Sequence, residues 1–329
     1  MDVILHFGLH RTATTTFQVF LSRNARALGD AGVAIWTPDR TRAGLFAGLM
    51  QPPGARPGTQ TGAEQHRAQR SAGLIAVELA LLERRGVRTL IVSEENMAGA
   101  LRANLREAAL YSDIAARAAR FRDAFGGRVT QVALSVRGYD AWWASTLAFG
   151  VAQGLPMPQP GLMNRLAAGP RGWQAVIADL GQVFAGVPLT VWPFERLGTR
   201  PEAQLTAMTH LHLPQATGLR DWLNPGPRRD KLRLILRLRG EADLAATLPA
   251  GDGRWMPFTP DQQAVLRARY QADMAWLGTD RADLARIAPA MQKPVGAGID
   301  LGEGWPQADL PDPTLPDLGQ SHDRERQMV

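Results

Sequence analysis

The residues best suited to chemistry form a short loop near the start of this 329-residue chain, His10-Arg-Thr-Ala-Thr-Thr15. An apolar run over residues 3–7 precedes the loop, and apolar residues at helical spacing follow it from Phe17. A strand, a tight loop and a helix in this order surround an anion with backbone N–H groups and the positive end of the helix. Arg11 adds a fixed charge, and three hydroxyl donors are present: Thr12, Thr14 and Thr15. The sequence therefore predicts an anion-binding loop.

A second candidate group lies at the end of a later apolar run. Arg137 follows a strand predicted over 129–136, and Ser145 comes eight residues later, two turns along the next predicted helix. Ligands of parallel sheets bind beyond the carboxyl ends of the strands. A guanidinium group suits a phosphate because it combines paired donors with a permanent charge. Taken alone, this spacing leaves two interpretations open: an anion-binding pair, or a structural arginine that closes a strand.

Two adjacent carboxylates, Glu94 and Glu95, follow a strand predicted over 87–92. A carboxylate at this edge of a sheet can act as a general base if it lies within hydrogen-bond reach of a hydroxyl. The alternative role is structural: Glu95 caps the helix predicted from Asn96, or it pairs with Arg11. The spacing alone leaves both interpretations open.

The loop and the arginine–serine pair together resemble the sulfotransferase family. In bacterial members, the loop that holds the 5′-phosphosulfate reads H-K-T-G-T-T and is followed by a helix. In this chain Arg11 stands at the lysine and Ala13 at the glycine. The family also binds a 3′-phosphate with an arginine at a strand end and a serine eight residues later, which Arg137 and Ser145 match. A similar Ser-x-Glu-Asn motif at residues 93–96 points to Glu95 rather than Glu94.

This resemblance implies a function. Such an enzyme transfers a sulfuryl group from 3′-phosphoadenosine-5′-phosphosulfate (PAPS) to a hydroxyl or amine acceptor, a small molecule, a glycan or a lipid. It releases 3′-phosphoadenosine-5′-phosphate (PAP) and needs no metal. The resemblance implies catalytic roles for Arg11 and Glu95. It implies cosubstrate binding by eight residues: His10, Arg11, Thr12, Ala13, Thr14, Thr15, Arg137 and Ser145.

Two other functions remain open. A P-loop-type kinase would share the fold and an anion loop, but its G-x-x-x-x-G-K-[ST] motif requires a lysine. When the motif is counted from Gly8, Ala13 stands at the position of the second glycine and Thr14 at the position of the lysine. A nucleotide-binding protein without catalysis would keep Arg137 and Ser145 while tolerating the changes at Arg11 and Ala13.

Composition narrows the class of protein. The chain has 37 Lys and Arg residues against 31 Asp and Glu, a net charge of +6, but no cluster of basic and aromatic residues typical of nucleic-acid binding. The absence of cysteine excludes disulfides, thiolate metal sites and cysteine nucleophiles, and is typical of a reducing cytoplasm. We find no signal peptide and no run of about eighteen apolar residues. We therefore predict a cytoplasmic protein without a membrane span or a nucleic-acid partner.

Alternating strand and helix patterns predict an α/β fold. We expect about five parallel strands flanked by helices, a sulfotransferase/P-loop-like three-layer arrangement, with strands over 3–7, 33–36, 87–92, 129–136 and 187–192. Helices are predicted over 15–31, 63–85, 110–125, 140–151, 228–248 and 259–278. Leu74, Val77, Leu81 and Leu82 are expected to share the buried face of the second helix. Loops over 37–62 and 150–165 are candidates to line an acceptor cleft.

Domain organisation is predicted from the same patterns. Residues 1–303 are expected to form a single domain that is largely helical from about residue 200. Residues 51–62, rich in proline and glycine, are predicted to be a surface loop. Prolines and acidic residues over 304–329 predict a loose tail.

Overall fold

In the computed structural model, the apolar runs of the sequence form an all-parallel sheet. Its main strands are β1 (Asp2–Phe7), β2 (Val33–Trp36), β3 (Thr89–Ser93), β4 (Gln131–Val136) and β5 (Leu189–Pro193). They lie in the order β2-β3-β1-β4-β5, and the two-residue strand β6 (Arg286–Ile287) pairs with β5. The structure describes residues 1–52, 62–169, 171–219 and 223–279 and the backbone of 286–287. The predicted α/β fold with about five parallel strands is confirmed.

Helices surround this sheet. Within the described ranges they are α1 (Thr14–Arg23), α2 (Ala25–Asp30), α3 (Pro38–Arg40), α4 (Gly62–Arg84), α5 (Leu101–Glu107), α6 (Ile114–Ala124), α7 (Tyr139–Ala152), α8 (Pro160–Ala168), α9 (Trp173–Val183), α10 (Phe194–Leu197), α11 (Pro201–Thr209), α12 (Arg229–Leu238), α13 (Ala242–Thr247) and α14 (Pro260–Gly278). Two irregular helical turns, Thr41–Leu45 and Glu95–Ala98, complete the described elements.

The sheet is covered on both faces. Leu5 of β1 belongs to a large core cluster that includes Phe121 of α6, whereas its neighbour Ile4 belongs to a second cluster with Phe17 and Phe20 of α1. Successive residues of a strand point to opposite faces, so the two clusters lie on the two sides of the sheet. The fold therefore has three layers, helices, sheet and helices.

The buried face of α4 differs from the predicted one. Leu74 and Val77 are 42% and 59% exposed, and the helix instead buries Ser71, Ile75 and Leu79. The segment before the helix packs on this face: the Gly48 amide donates to Ser71 Oγ over 3.1 Å, and a Cβ atom on Gly48 would lie 2.1 Å from the Arg67 carbonyl oxygen. The stripe at positions 71, 75 and 79 faces the core, and the prediction for Leu74 and Val77 was wrong.

Element ends also differ from the predicted ones. β3, β4 and β5 each begin two residues later than predicted. The helix predicted over 15–31 is interrupted at Asn24, and the one predicted over 228–248 is interrupted at Gly240, whose φ is +79°. The helices α5, α8, α9 and α11 were not predicted. The predicted loop at 150–165 contains the first turns of α8.

Several predictions fall outside the described residues. They are most of the loop at 51–62, the domain boundary near 303 and the tail over 304–329. From about residue 200 to 279, the regular elements of the described chain are all helices, as predicted. None of the helices in the described ranges has both the length and the apolar character that crossing a bilayer requires.

Candidate anion-binding site

The candidate residues meet at the point where the sheet changes direction. β1 and β4 are neighbours, yet the chain leaves β1 toward the β2 edge and leaves β4 toward the β5 edge. Such a switch point opens a crevice at the carboxyl ends of the two strands, where α/β proteins bind ligands. The loop over residues 8–13 follows β1, and Arg137 follows β4. Strand order therefore brings together residues that lie more than a hundred positions apart.

The loop after β1 turns tightly into α1. A Cβ atom on Gly8 would lie only 2.1 Å from Thr14 Cγ2, so any other residue at this position would displace the buried Thr14 side chain. Arg11 and Ala13 both have a left-handed backbone, with φ of 62° and 64°. Ala13 is the N-cap of α1 and has no side-chain acceptor to cap it. Left-handed residues before a helix are typical of backbone that gathers N–H groups around an anion.

The amide groups of this loop are free to bind. No group in the described part of the chain accepts a hydrogen bond from the amides of residues 11–13. The first amides of any α-helix also lack partners inside the helix. The loop therefore presents several N–H donors close to the positive end of α1.

The threonine hydroxyls divide into two groups. Thr12 Oγ1 and Thr14 Oγ1 both donate to the carbonyl of Leu9, over 2.5 Å and 3.1 Å. A hydroxyl has one proton, so these two side chains shape the loop and have no proton left for an anion. Thr15 Oγ1, partly exposed on the first turn of α1, has no partner among the described residues. The predicted role of hydroxyl donor therefore fits Thr15 better than Thr12 or Thr14.

Two arginines connect the loop with β4 and α7. Arg11 Nε donates to Ser145 Oγ over 2.9 Å, and its guanidinium lies 5.1 Å from the centre of the Phe149 ring. Arg137 Nη1 donates to the Arg11 carbonyl over 2.6 Å and stacks 4.3 Å above the Phe194 ring. The structure thus brings Arg11, Arg137 and Ser145 into direct contact.

The electrostatics of these arginines are unusual. Arg137 is only 7% exposed, and within the described chain its Nε has no hydrogen-bond partner. Burial lowers the pKa of both Arg11 and Arg137 to about 10. Among the described residues no carboxylate forms an ion pair with either one. Glu195 lies near Arg137, but its oxygens accept hydrogen bonds from the Gly138 amide and the Tyr270 hydroxyl. The charge of Glu195 still favours the charged form of Arg137, but buried positive charge without an ion pair is costly, and a bound anion would offset that cost.

The two adjacent carboxylates have different environments. Glu94 is fully buried and accepts hydrogen bonds from Thr41 Oγ1, from Arg42 and from the Asn96 amide. It therefore caps the turn Glu95–Ala98, the role that the structural alternative gave to Glu95. Glu95 remains 21% exposed at its side chain, and its cationic partner is Arg42, with Nη2 at 2.6 Å, rather than Arg11.

Two neighbours, Arg42 and Gln18, determine the ionisation of Glu95. Burial acts to raise the pKa of this carboxyl, but the charge of Arg42 and the hydrogen bonds from Gln18 and Arg42 outweigh that effect and lower the pKa. Gln18 Nε2 lies 3.0 Å from Glu95 Oε2. The net pKa is below the usual glutamate value. Glu95 is therefore ionised at neutral pH, as a general base must be, although a lower pKa also makes it a weaker base.

Hydrogen bonds to Tyr111 orient the His10 ring. The His10 amide donates to the Tyr111 hydroxyl over 2.9 Å, and His10 Nδ1 lies 3.2 Å from the same oxygen. Burial lowers the pKa of His10 to about 4, so the ring is neutral at pH 7.

No protein-family model, no curated protein and no solved structure matches this chain. Among the described residues, no three or more histidine, aspartate or glutamate side chains are grouped so that they could hold a metal ion.

The sequence did not reveal every residue at the site. Arg42 lies in a segment without apolar periodicity, and no pattern connects it with Glu94 or Glu95. A Cβ atom on Gly226 would lie 3.1 Å from Ser145 Oγ and 3.2 Å from Arg11 Nη2, so the backbone near residue 226 passes directly over this pair. The charge of Arg254 contributes to the lowered pKa of Arg137. Only contacts between distant segments reveal these three residues.

Proposed function

We propose that this protein is a sulfotransferase that moves a sulfuryl group from PAPS to a hydroxyl or amine acceptor. The observation that carries this proposal is the buried, unpaired guanidinium of Arg137 beside a loop of unpartnered amides. A ligand with two separate anionic groups matches such a site, because the amides and the arginine each provide donors without acceptors.

The orphaned Nε of Arg137 makes the site a good fit for a bisphosphate nucleotide. The amides of residues 11–13, the start of α1 and the Arg11 side chain would hold the 5′ group. Arg137 and Ser145 would hold the 3′-phosphate. Because Ser145 Oγ accepts its hydrogen bond from Arg11, the serine proton remains available for a phosphate oxygen.

Three groups of this chain would support the transfer. Glu95 would take the proton from the acceptor as the acceptor's oxygen or nitrogen bonds to sulfur and the bond from sulfur to the phosphate oxygen breaks. Arg11 and the loop amides would stabilise the charge that forms on the departing oxygen. His10, held by Tyr111, would keep the loop in shape around the donor.

A kinase remains the less favoured function because the loop has no lysine to reach the terminal phosphates. A nucleotide-binding protein without catalysis has one observation in its favour. Both oxygens of Glu95 already accept hydrogen bonds, from Arg42 and from Gln18, as expected of a structural carboxylate.

The donor site is tested by calorimetric titration of the full-length protein with PAP, with ATP as the comparison and without magnesium. We expect micromolar affinity for PAP, weaker binding of ATP, and a loss of at least about a hundredfold in Arg137→Ala. Arg26→Ala, which removes an exposed arginine on α2, is the matched control and should bind normally. Failure to bind PAP, or preference for ATP once magnesium is added, would overturn the proposal.

The catalytic step is tested separately with labelled PAPS and a panel of hydroxyl and amine acceptors. Sulfation that is lost in Glu95→Gln while PAP binding persists would support the role of Glu95. Tight PAP binding without sulfation of any acceptor would favour the non-catalytic alternative.

A further inference from the structure

A groove lies on the other side of α7 from the anion-binding loop. It encloses about 560 Å³ between α5, α7, the segment 155–159 and the start of α8. Its walls are almost entirely apolar, and the side chains that form them are Leu105, Leu147, Val151, Leu155, Met157 and Leu162. A volume of this size is typical of small-molecule sites.

The geometry of α7 separates the groove from the proposed donor site. Ser145 and Phe149 face Arg11, whereas Leu147 and Val151 line the groove. Successive residues of an α-helix are rotated by about 100° about its axis, so side chains two positions apart lie on nearly opposite sides of the helix. The groove is therefore a second site, and its occupancy does not depend on the sulfotransferase proposal.

The rim of the groove carries positive charge. Arg102, Arg106 and Arg165 line it, and none of its lining residues is acidic. Arg165 is exposed and has no ion pair among the described residues, and Arg102 contacts only the carbonyl of Gln153, at 3.4 Å. Arg106 is partly neutralised by the adjacent Glu107, with 2.9 Å between the charged atoms. Arg102 and Arg165 therefore provide the available charge.

We propose that this groove binds one molecule of a free fatty acid, with the alkyl chain along the leucines and the carboxylate at Arg102 and Arg165. Apolar walls take up an alkyl chain, and guanidinium groups at the rim complement a carboxylate. A groove of this size fits one chain. A protein partner or a bilayer would need a much broader apolar surface.

The proposal is tested by calorimetric titration of the full-length protein with dodecanoate below its micelle concentration. Two comparison probes separate chain from charge: dodecyltrimethylammonium has the same chain with the opposite charge, and acetate has the charge without the chain. We expect dodecanoate to bind with a stoichiometry of one and the other two to bind at least about tenfold more weakly. Equal binding of the cationic probe, or uptake of many dodecanoate molecules per chain, would overturn the proposal.

Variants test whether dodecanoate binds in this groove. The double variant Arg102→Ala/Arg165→Ala should weaken dodecanoate binding about tenfold, since each exposed ionic contact contributes up to about fivefold. Arg26→Ala is the matched control and should leave binding unchanged. Leu162→Trp should also weaken binding, because the larger ring fills the groove. If Leu162→Trp fails to fold, the arginine variant decides: binding equal to that of the control would exclude this site.

The two proposals fail independently. PAP affinity should be unchanged in Arg102→Ala/Arg165→Ala, and dodecanoate affinity should be unchanged in Arg137→Ala. A groove variant that lost both ligands would indicate general unfolding, which circular dichroism detects.

Discussion

Arg11 and Ser145 are 134 positions apart, yet Arg11 Nε donates a hydrogen bond to Ser145 Oγ over 2.9 Å. The backbone carbonyl of the same arginine accepts a hydrogen bond from Arg137. Arg11 therefore joins the loop after β1 both to the end of β4 and to α7, and a change at any of the three residues affects the others. The first prediction follows from the charge that this arrangement buries.

Arg137→Met should bind PAP far more weakly than the wild type, yet it should raise the free energy of unfolding of the ligand-free protein by on the order of 1 kcal/mol. Methionine removes a buried charge that forms no ion pair, and we expect this gain to exceed the cost of losing the hydrogen bond to the Arg11 carbonyl. Urea unfolding of the ligand-free protein measures the change.

The control for this prediction is an equally buried arginine with a counterion. Arg117 is 5% exposed and pairs with Asp113 over 2.7 Å. Arg117→Met should lower the free energy of unfolding by about 2 kcal/mol because it leaves Asp113 without its partner. Equal destabilisation by the two substitutions would show that Arg137 is an ordinary structural arginine.

Ala13→Gly should stabilise the protein by about 0.5–1 kcal/mol. Ala13 has a φ of 64°, a left-handed conformation that glycine adopts without strain. Ala76→Gly, in the exposed middle of α4, is the matched control and should destabilise by about 1 kcal/mol. Both changes are measured by urea unfolding, and opposite signs are the expected result.

Thr12→Val and Thr15→Val should have different effects. Thr12→Val removes the hydrogen bond to the Leu9 carbonyl and should lower the free energy of unfolding by about 1 kcal/mol. Thr15→Val removes no hydrogen bond within the described chain, so its stability should stay near that of the wild type. Its PAP affinity should fall about tenfold, through loss of a hydroxyl donor to a phosphate. Unfolding curves and PAP titrations of both variants distinguish the two roles.

Protein stability should fall as the pH decreases from 6.5 to 4. Burial lowers the pKa of His10 from 6.5 to about 4, so in this range the unfolded chain binds a proton that the folded chain does not. The shift is worth about 3 kcal/mol of stability above pH 6.5, which is lost on acidification. His6, also buried with a pKa lowered to about 4, adds a second contribution of the same sign.

Unfolding curves at several pH values test this expectation. His10→Gln should reduce the number of protons taken up on unfolding between pH 4 and 6.5 by about one. The free energy of unfolding should therefore depend less steeply on pH in this range. His66→Gln, at an exposed position of α4, serves as the control and should retain the wild-type slope. An unchanged slope in His10→Gln would argue against a buried neutral imidazole.

Glu94→Gln and Glu95→Gln should separate structure from function. Glu94 is fully buried under Arg42 and Thr41, so its substitution should lower the free energy of unfolding by about 2 kcal/mol or more. Glu95→Gln should leave most of the fold intact because the side chain at this position is partly exposed. In an active sulfation assay it should lower turnover at least a hundredfold. A fully active Glu95→Gln would exclude this carboxylate as the base.

Much of the fold was predictable because the strands are short, buried apolar runs between clear turn residues. The position of the candidate site was predictable for the same reason, since carboxyl ends of adjacent parallel strands meet. The buried face of α4 was not predictable, because it depends on contact with the segment around Gly48, whose amide donates to Ser71 Oγ. The donor directions of Thr12 and Thr14 were also hidden, because sequence does not reveal where a hydroxyl proton points.

Arg42 gives the proposed base an adjustable strength. The arginine belongs to the irregular turn Thr41–Leu45, where Gly44 has a φ of 107°, and it holds Glu95 from a different part of the chain than the phosphate loop. A displacement of this turn by a few ångströms would withdraw a positive charge from Glu95 and raise the pKa of its carboxyl. The proton affinity of Glu95 is thus coupled to the position of the segment around residues 41–45. Any acceptor that moved this segment would alter the reactivity of the carboxylate proposed to deprotonate it.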